Sequence, residues 1–100
     1  MIKHVILWNL KEEYSAEEKA KIKADIKKGI EGLNGKIEGL IDVKVYTQGL
    51  ESSTADLMLD SSFESYETLK NYAVHPLHLE VANNIVRPYT SARSCLDFEI

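Results

Sequence analysis

Three histidines, a single cysteine and a tyrosine close to two of the histidines are the side chains here best able to move a proton or hold an ion. The densest group is Tyr72-Ala73-Val74-His75-Pro76-Leu77-His78. Pro76 suits the first position of a helix, where its missing N–H loses no bond. His78 then falls in the first turn, on a face shared with Val81, Ala82 and Ile85. The helix dipole disfavours an imidazolium there, and burial pushes the same way. A neutral His78 can take a proton from Tyr72 or from a carbon acid. Tyr72 lies on an inner face one break upstream, and its hydroxyl can donate to a developing enolate oxygen. A plainer role is open to the same pair: a tyrosine and a histidine at a tight junction can simply satisfy each other or nearby carbonyls. His75 can cap or brace that junction.

His4 shares a strand face with Ile2, Ile6 and Trp8, where it is either a satisfied core residue or part of a cavity wall. Trp8 either fills space beside it or stacks on a planar ligand. No metal and no cofactor are expected. His75 and His78 are three apart with a helix-starting proline between them, and no carboxylate or cysteine cluster completes a ligand set. Cys95 reads as a core residue on a central or near-central strand. Lys19, Lys21, Lys23, Lys27 and Lys28 are interleaved with Glu17, Glu18 and Asp25, the pattern of a solvated helix face.

The elements that must position these groups follow from periodicity. Ile2 to Asn9 reads as a buried strand. Ser15 and Glu18 form a capping box ahead of a helix from Ala16 to about Leu33. Its apolar stripe is Ile22, Ile26, Ile30 and Leu33, and Gly32 and Gly35 are stop signals. Leu40 to Gln48 is a strand with Ile41, Val43, Val45 and Thr47 on one face. Ala55 to Ser62 is another, with Leu57 and Leu59 on one face. A short helix from about Glu64 to Ala73 has an apolar side of Tyr66, Leu69, Tyr72 and Ala73. A further helix runs from Pro76 to about Arg87, and Ala92 to Ile100 closes the chain as a strand. The order β-α-β-β-α-α-β predicts an α+β, ferredoxin-like fold with a four-stranded antiparallel sheet and helices on one side. The other sheet face still carries apolar residues from every strand, so a second copy is expected to cover it.

Residues 1–100 are one domain's worth of chain. The net charge of −4 argues against nucleic acid or an anionic membrane as partner. A lone cysteine gives no intrachain disulfide. The opening apolar run is too short for a signal peptide, since Asn9, Lys11, Glu12 and Glu13 follow at once. A cytoplasmic location is expected.

Four segments together resemble the stress-responsive α/β-barrel (Dabb) family. They are Ile2-Lys3-His4-Val5-Ile6-Leu7-Trp8-Asn9-Leu10-Lys11, the stretch Ala55 to Ser65, Tyr72 to His78, and the ending Cys95-Leu96-Asp97-Phe98-Glu99. The resemblance covers nearly the whole chain. It implies a homodimer whose two sheets form a central barrel, a dimeric α/β barrel. Within the family it points to distant similarity with a plant polyketide (olivetolic acid) cyclase, which closes a ring by intramolecular aldol chemistry. There a tyrosine and a histidine do the proton work and a first-strand histidine lines the cavity, at positions matching Tyr72, His78 and His4. A pocket between helices and sheet is therefore expected. Its walls would be His4, Ile6 and Trp8, with Leu59, Ile22, Ile26, Leu69 and Val81, and its ligand a small, mostly apolar or aromatic molecule. Two alternatives stand beside simple binding. One is a cyclase-like enzyme using Tyr72 and His78 for carbon-acid chemistry, and the other is a non-catalytic stress-associated protein.

Overall fold

Side-chain alternation in the first strand orients the sheet. In the computed structural model, which describes residues 1–100, β1 (Ile2–Leu10) turns His4, Ile6, Trp8 and Leu10 into the core, while Leu7 on its other face is 41% exposed. β1 pairs antiparallel with β3 (Leu57–Phe63) on one side and β4 (Thr90–Glu99) on the other. β2 (Leu40–Tyr46) pairs antiparallel with β3, which gives the order β2-β3-β1-β4. α1 (Ala16–Glu31), α2 (Tyr66–Ala73) and α3 (Pro76–Val81) share one core with the inner sheet face. No helix is long and apolar enough to cross a membrane.

The α1 start forms as its sequence dictates, with both bonds of the Ser15–Glu18 capping box present. The helix ends at Glu31, two residues before Leu33, because Gly32 and the turn to Gly35 (φ 77°) break it. Leu33 and Ile37 continue the buried stripe beyond the helix. Lys27 and Glu31 are not merely solvated. Lys27 donates to the Val45 carbonyl at 2.7 Å, and the Val45 N–H donates to Glu31 at 2.9 Å. Asn34 exchanges two further bonds with the backbone of Val43. The free edge of β2 is thereby closed to another strand.

Several expectations need correction. β2 ends at Tyr46, and its register shifts between Leu40 and Asp42. That bulge changes the parity of the strand, so Leu40 is buried with Val43 and Val45 while Ile41 is 50% exposed. Phe63 is the fully buried end of β3 rather than a lead into a helix. α2 starts at Tyr66, after a Ser65–Thr68 capping box, and leaves Tyr66 and Ala73 exposed. The last helix is not continuous. A wide π turn occupies Ala82–Val86 and a 3-10 turn holds Arg87–Tyr89. The wider turn moves burial onto Val86, leaving Val81 and Ile85 half-buried against α1. They pack at Gly29, where an added Cβ would lie 3.2 Å from both side chains. Cys95 is exposed because β4 is an edge strand.

Gly39 holds the turn into β2 at φ +84°, and a Cβ there would lie 2.3 Å from Thr68 Cβ. Gly39→Ala therefore combines left-handed backbone strain with a clash against α2. A loss of at least about 2 kcal/mol is expected in chemical denaturation. Unchanged stability would show that the turn does not fix α2.

Candidate functional site

The junction between α2 and α3 sets the geometry of the site. His75 caps α3, its Nδ1 accepting the Leu77 N–H at 3.1 Å, and Pro76 takes the first helical position. One turn on, His78 Nδ1 lies 3.2 Å from the Ala73 carbonyl oxygen. A carbonyl only accepts, so Nδ1 carries the proton and Nε2 is left as the basic nitrogen. Burial, together with the nearby charges of Arg87, His4 and Arg93, lowers the His78 pKa below its ordinary 6.5, against the opposing pull of the Ala73 bond. His78 is therefore neutral at physiological pH.

Tyr72 is 2% exposed and packs within an aromatic group. Its ring centroid lies 4.3 Å from that of His78, 4.9 Å from Phe63 and 6.5 Å from His4. Burial pushes its phenol up to about 12, so it stays a donor. The hydroxyl makes no hydrogen bond within the protein. No fully buried side-chain oxygen or nitrogen lacks a partner, so the Tyr72 oxygen must reach open space.

That space is a cavity of about 180 Å³ between β1 and the α2–α3 junction. His4, Ile6 and Trp8 line it from β1, Leu59 from β3, Leu69 and Tyr72 from α2, and His78 and Val81 from α3. Trp8 is one wall and does not fill it. Ile22 and Ile26 are not part of it. α1 packs mainly over β2, so Ile26 is sealed in the core and Ile22 faces an outer groove, while Ile30, further along, reaches the cavity. Ala73, Ala82, Val86, Arg87, Thr90 and Arg93 also line it and were not anticipated. Arg93 belongs to a period-two row with Cys95 and Asp97 on β4. The register Trp8↔Arg93, Ile6↔Cys95 and His4↔Asp97 turns that row to the helix side.

His4 hydrogen-bonds through Nδ1 to the Asp97 carboxylate. Cys95 Sγ lies 3.7 Å from the same nitrogen and 3.5 Å from Asp97. Burial first, and then Asp97, push the Cys95 thiol up. A larger groove of about 760 Å³ separates α1 from α3, but Glu18, Lys21, Asp25, Lys28 and Glu80 border it and no histidine or cysteine does. The smaller cavity alone brings a neutral imidazole and a free phenol together in apolar walls. Its volume is close to that of cavities that take a single benzene-sized ring, roughly 150 Å³.

Residues 2–100 match the family model of the stress responsive A/B barrel domain. The chain is similar to a dimeric protein of unknown function and ferredoxin-like fold from Bacteroides fragilis. That likeness has 29% identity and a TM-score of 0.91, covering 99% of this chain and 95% of that one. An Arabidopsis thaliana protein is 25% identical, with a TM-score of 0.79 over 100% of this chain and 95% of its own. A hydroxynitrile lyase from Passiflora edulis shares the fold at 19% identity and a TM-score of 0.73, covering 99% and 92%. Among curated protein sequences nothing matches.

Proposed function

The chain belongs to the stress-responsive α/β-barrel family, and on that premise we propose that it is a homodimer binding a small, mostly apolar or aromatic molecule in the cavity beneath its helices. The observation that carries the binding reading is the Tyr72 hydroxyl, which has no protein partner beside the neutral His78 at one shared cavity. A ligand with a planar ring and one carbonyl or phenolic oxygen would satisfy both groups. Tyr72 would donate to the oxygen, and His78 Nε2 would accept an acidic hydrogen. The sheet pairing is supported by the dimeric Bacteroides fragilis relative and by the apolar outer face formed by Val5, Leu7, Tyr46, Met58, Leu96 and Phe98. The closed β2 edge favours packing of sheet faces over continuation of the sheet at that edge. The net charge of −4 disfavours nucleic acid or an anionic membrane as partner, and the proposal includes a cytoplasmic location.

The Tyr72–His78 geometry also favours an enzymatic reading. His78 Nε2 would remove a proton from a carbon next to a carbonyl, while Tyr72 hydrogen-bonds to the oxygen as the enolate forms. The enolate carbon would then attack a second carbonyl of the same molecule. The proton held by His78 would pass to the resulting alkoxide, which balances an aldol ring closure. His4 would position the substrate.

Thermal shift against a panel of planar aryl ketones and phenols tests the binding. A stabilising compound should lose its effect in His78→Ala, and a shift kept at full size there would overturn the site. The effect should persist below the ordinary imidazole range and fade as acid protonates His78 at its lowered pKa. The sign for stability is the same. A depressed folded pKa contributes stability above about 6.5 that is lost as pH falls through the folded value. Deuterium exchange at an acidic C–H of a bound ketone separates the two readings, since only the enzymatic one makes it fast in wild type and slow in His78→Ala.

A further inference from the structure

The fold assembles a donor set that spacing along one element does not show. His4 Nδ1, Cys95 Sγ and an Asp97 oxygen all lie within 4.8 Å of one another. We propose that these three side chains form a binding site for a divalent ion of the zinc class.

The strand ladder builds the site. His4 stands directly across from Asp97, and Cys95 precedes Asp97 by one pleat on the same face of β4. All three donors therefore meet on one side of two hydrogen-bonded strands, with the backbone already fixed. A tetrahedral zinc site with ordinary bond lengths has donor–donor edges of about 3.4–3.6 Å. The sulfur edges here are 3.7 Å to His4 and 3.5 Å to Asp97. The third edge is the His4–Asp97 hydrogen bond, which is shorter than a ligand edge, so the Asp97 carboxylate must swing away from His4 for the ion to take its place. One imidazole, one thiolate and one carboxylate make a donor set suited to zinc or cobalt and poor for calcium or magnesium.

The protons balance simply. Cys95 releases its thiol proton to solvent. His4 would bind through an unprotonated Nδ1 with its one proton on Nε2, and Asp97 would bind as a carboxylate. The thiolate and Asp97 together neutralise the two charges of the ion. A fourth position remains open, as in zinc sites that keep a water. His4 also lines the cavity, which places the ion at its wall. The site does not depend on what the cavity binds.

Chelator-treated full-length protein, titrated with Co²⁺ and then with Zn²⁺, tests the proposal. The expected result is one cobalt per chain, with a thiolate-to-cobalt charge-transfer band and the strong visible bands of four-coordinate cobalt, both removed by Zn²⁺. Cys95→Ser should abolish the charge-transfer band. Asp97→Asn should weaken binding at least about tenfold. Both residues are exposed on an edge strand, so these variants should keep the wild-type circular dichroism. His75→Ala should bind as wild type does. Absence of the charge-transfer band in wild type, unaltered binding in Cys95→Ser, or loss of binding in His75→Ala would each overturn the assignment.

Discussion

Leu96→Asp should turn the proposed homodimer into a monomer that still folds. Leu96 is 64% exposed on the outer face of β4 and pairs across the sheet with Val5. It contributes little to the monomer core, so its loss should cost the monomer little. In a dimer of packed sheets the same position is buried. Two-fold symmetry would place two unpaired carboxylates in one interface, and each carries a desolvation penalty of several kcal/mol. Lys3 on the same sheet face gives little relief, because it is already bonded to Asp60 at 3.0 Å. Asp60 pairs with Val5 on the other side of β1, so it adds repulsion rather than compensation. Dimer dissociation should strengthen by at least about 100-fold, or about 2.7 kcal/mol. Light scattering at micromolar protein reads this directly, and a variant that stays dimeric would refute packing of the outer sheet faces. The cavity lies on the helix side of the sheet, lined from β1 by His4, Ile6 and Trp8, whereas Leu96 pairs with Val5 on the opposite face. The monomeric variant should therefore keep the ligand-induced thermal shift.

What the sequence made legible was local or strictly periodic. The Ser15–Glu18 box, the Ile22–Ile26–Ile30 stripe and the alternation of Ile2 to Trp8 each depend on neighbours a few residues away. The bulge at Ile41 did not announce itself. A single extra residue inverts strand parity, and only pairing with β3 reveals it. The π turn at Ala82–Val86 is likewise set by how the segment must lie against Gly29 and the sheet. Cys95 was misplaced because composition cannot rank strands. The sheet order puts β4 at the edge whatever residues it carries. In the cavity, Tyr72 and His78 are six positions apart and share one helix junction, so their proximity was readable. His4 and Asp97 are 93 positions apart, and only the antiparallel ladder joins them. The triad with Cys95 was therefore hidden from spacing arguments, which compare positions along one element.

Tyr72→Phe separates a ligand-facing phenol from a structural one. A buried tyrosine that bonds to a protein carbonyl usually costs about 1 kcal/mol or more when its hydroxyl is removed, because the acceptor is stranded. The Tyr72 hydroxyl has no such partner, and the ring contacts with Phe63, His4 and His78 survive in phenylalanine. Neutral-pH stability should therefore stay within about 0.5 kcal/mol of wild type, while affinity for a compound that accepts from Tyr72 falls roughly tenfold. A large stability loss with unchanged affinity would reverse the assignment. Alkaline denaturation supplies a second signature. The folded phenol titrates at about 12 against an ordinary 10, so the unfolded chain gives up this proton first. The resulting stability is complete below the unfolded value and is lost as pH rises towards 12. The whole difference amounts to roughly 2–3 kcal/mol, and about half of it should be gone near pH 11. The phenylalanine variant has no proton to lose. It should be the weaker or equal partner at neutral pH and the more stable protein in strong alkali. That crossing arises only if the phenol is held neutral by its apolar walls, which is the state a donor to a ligand oxygen requires.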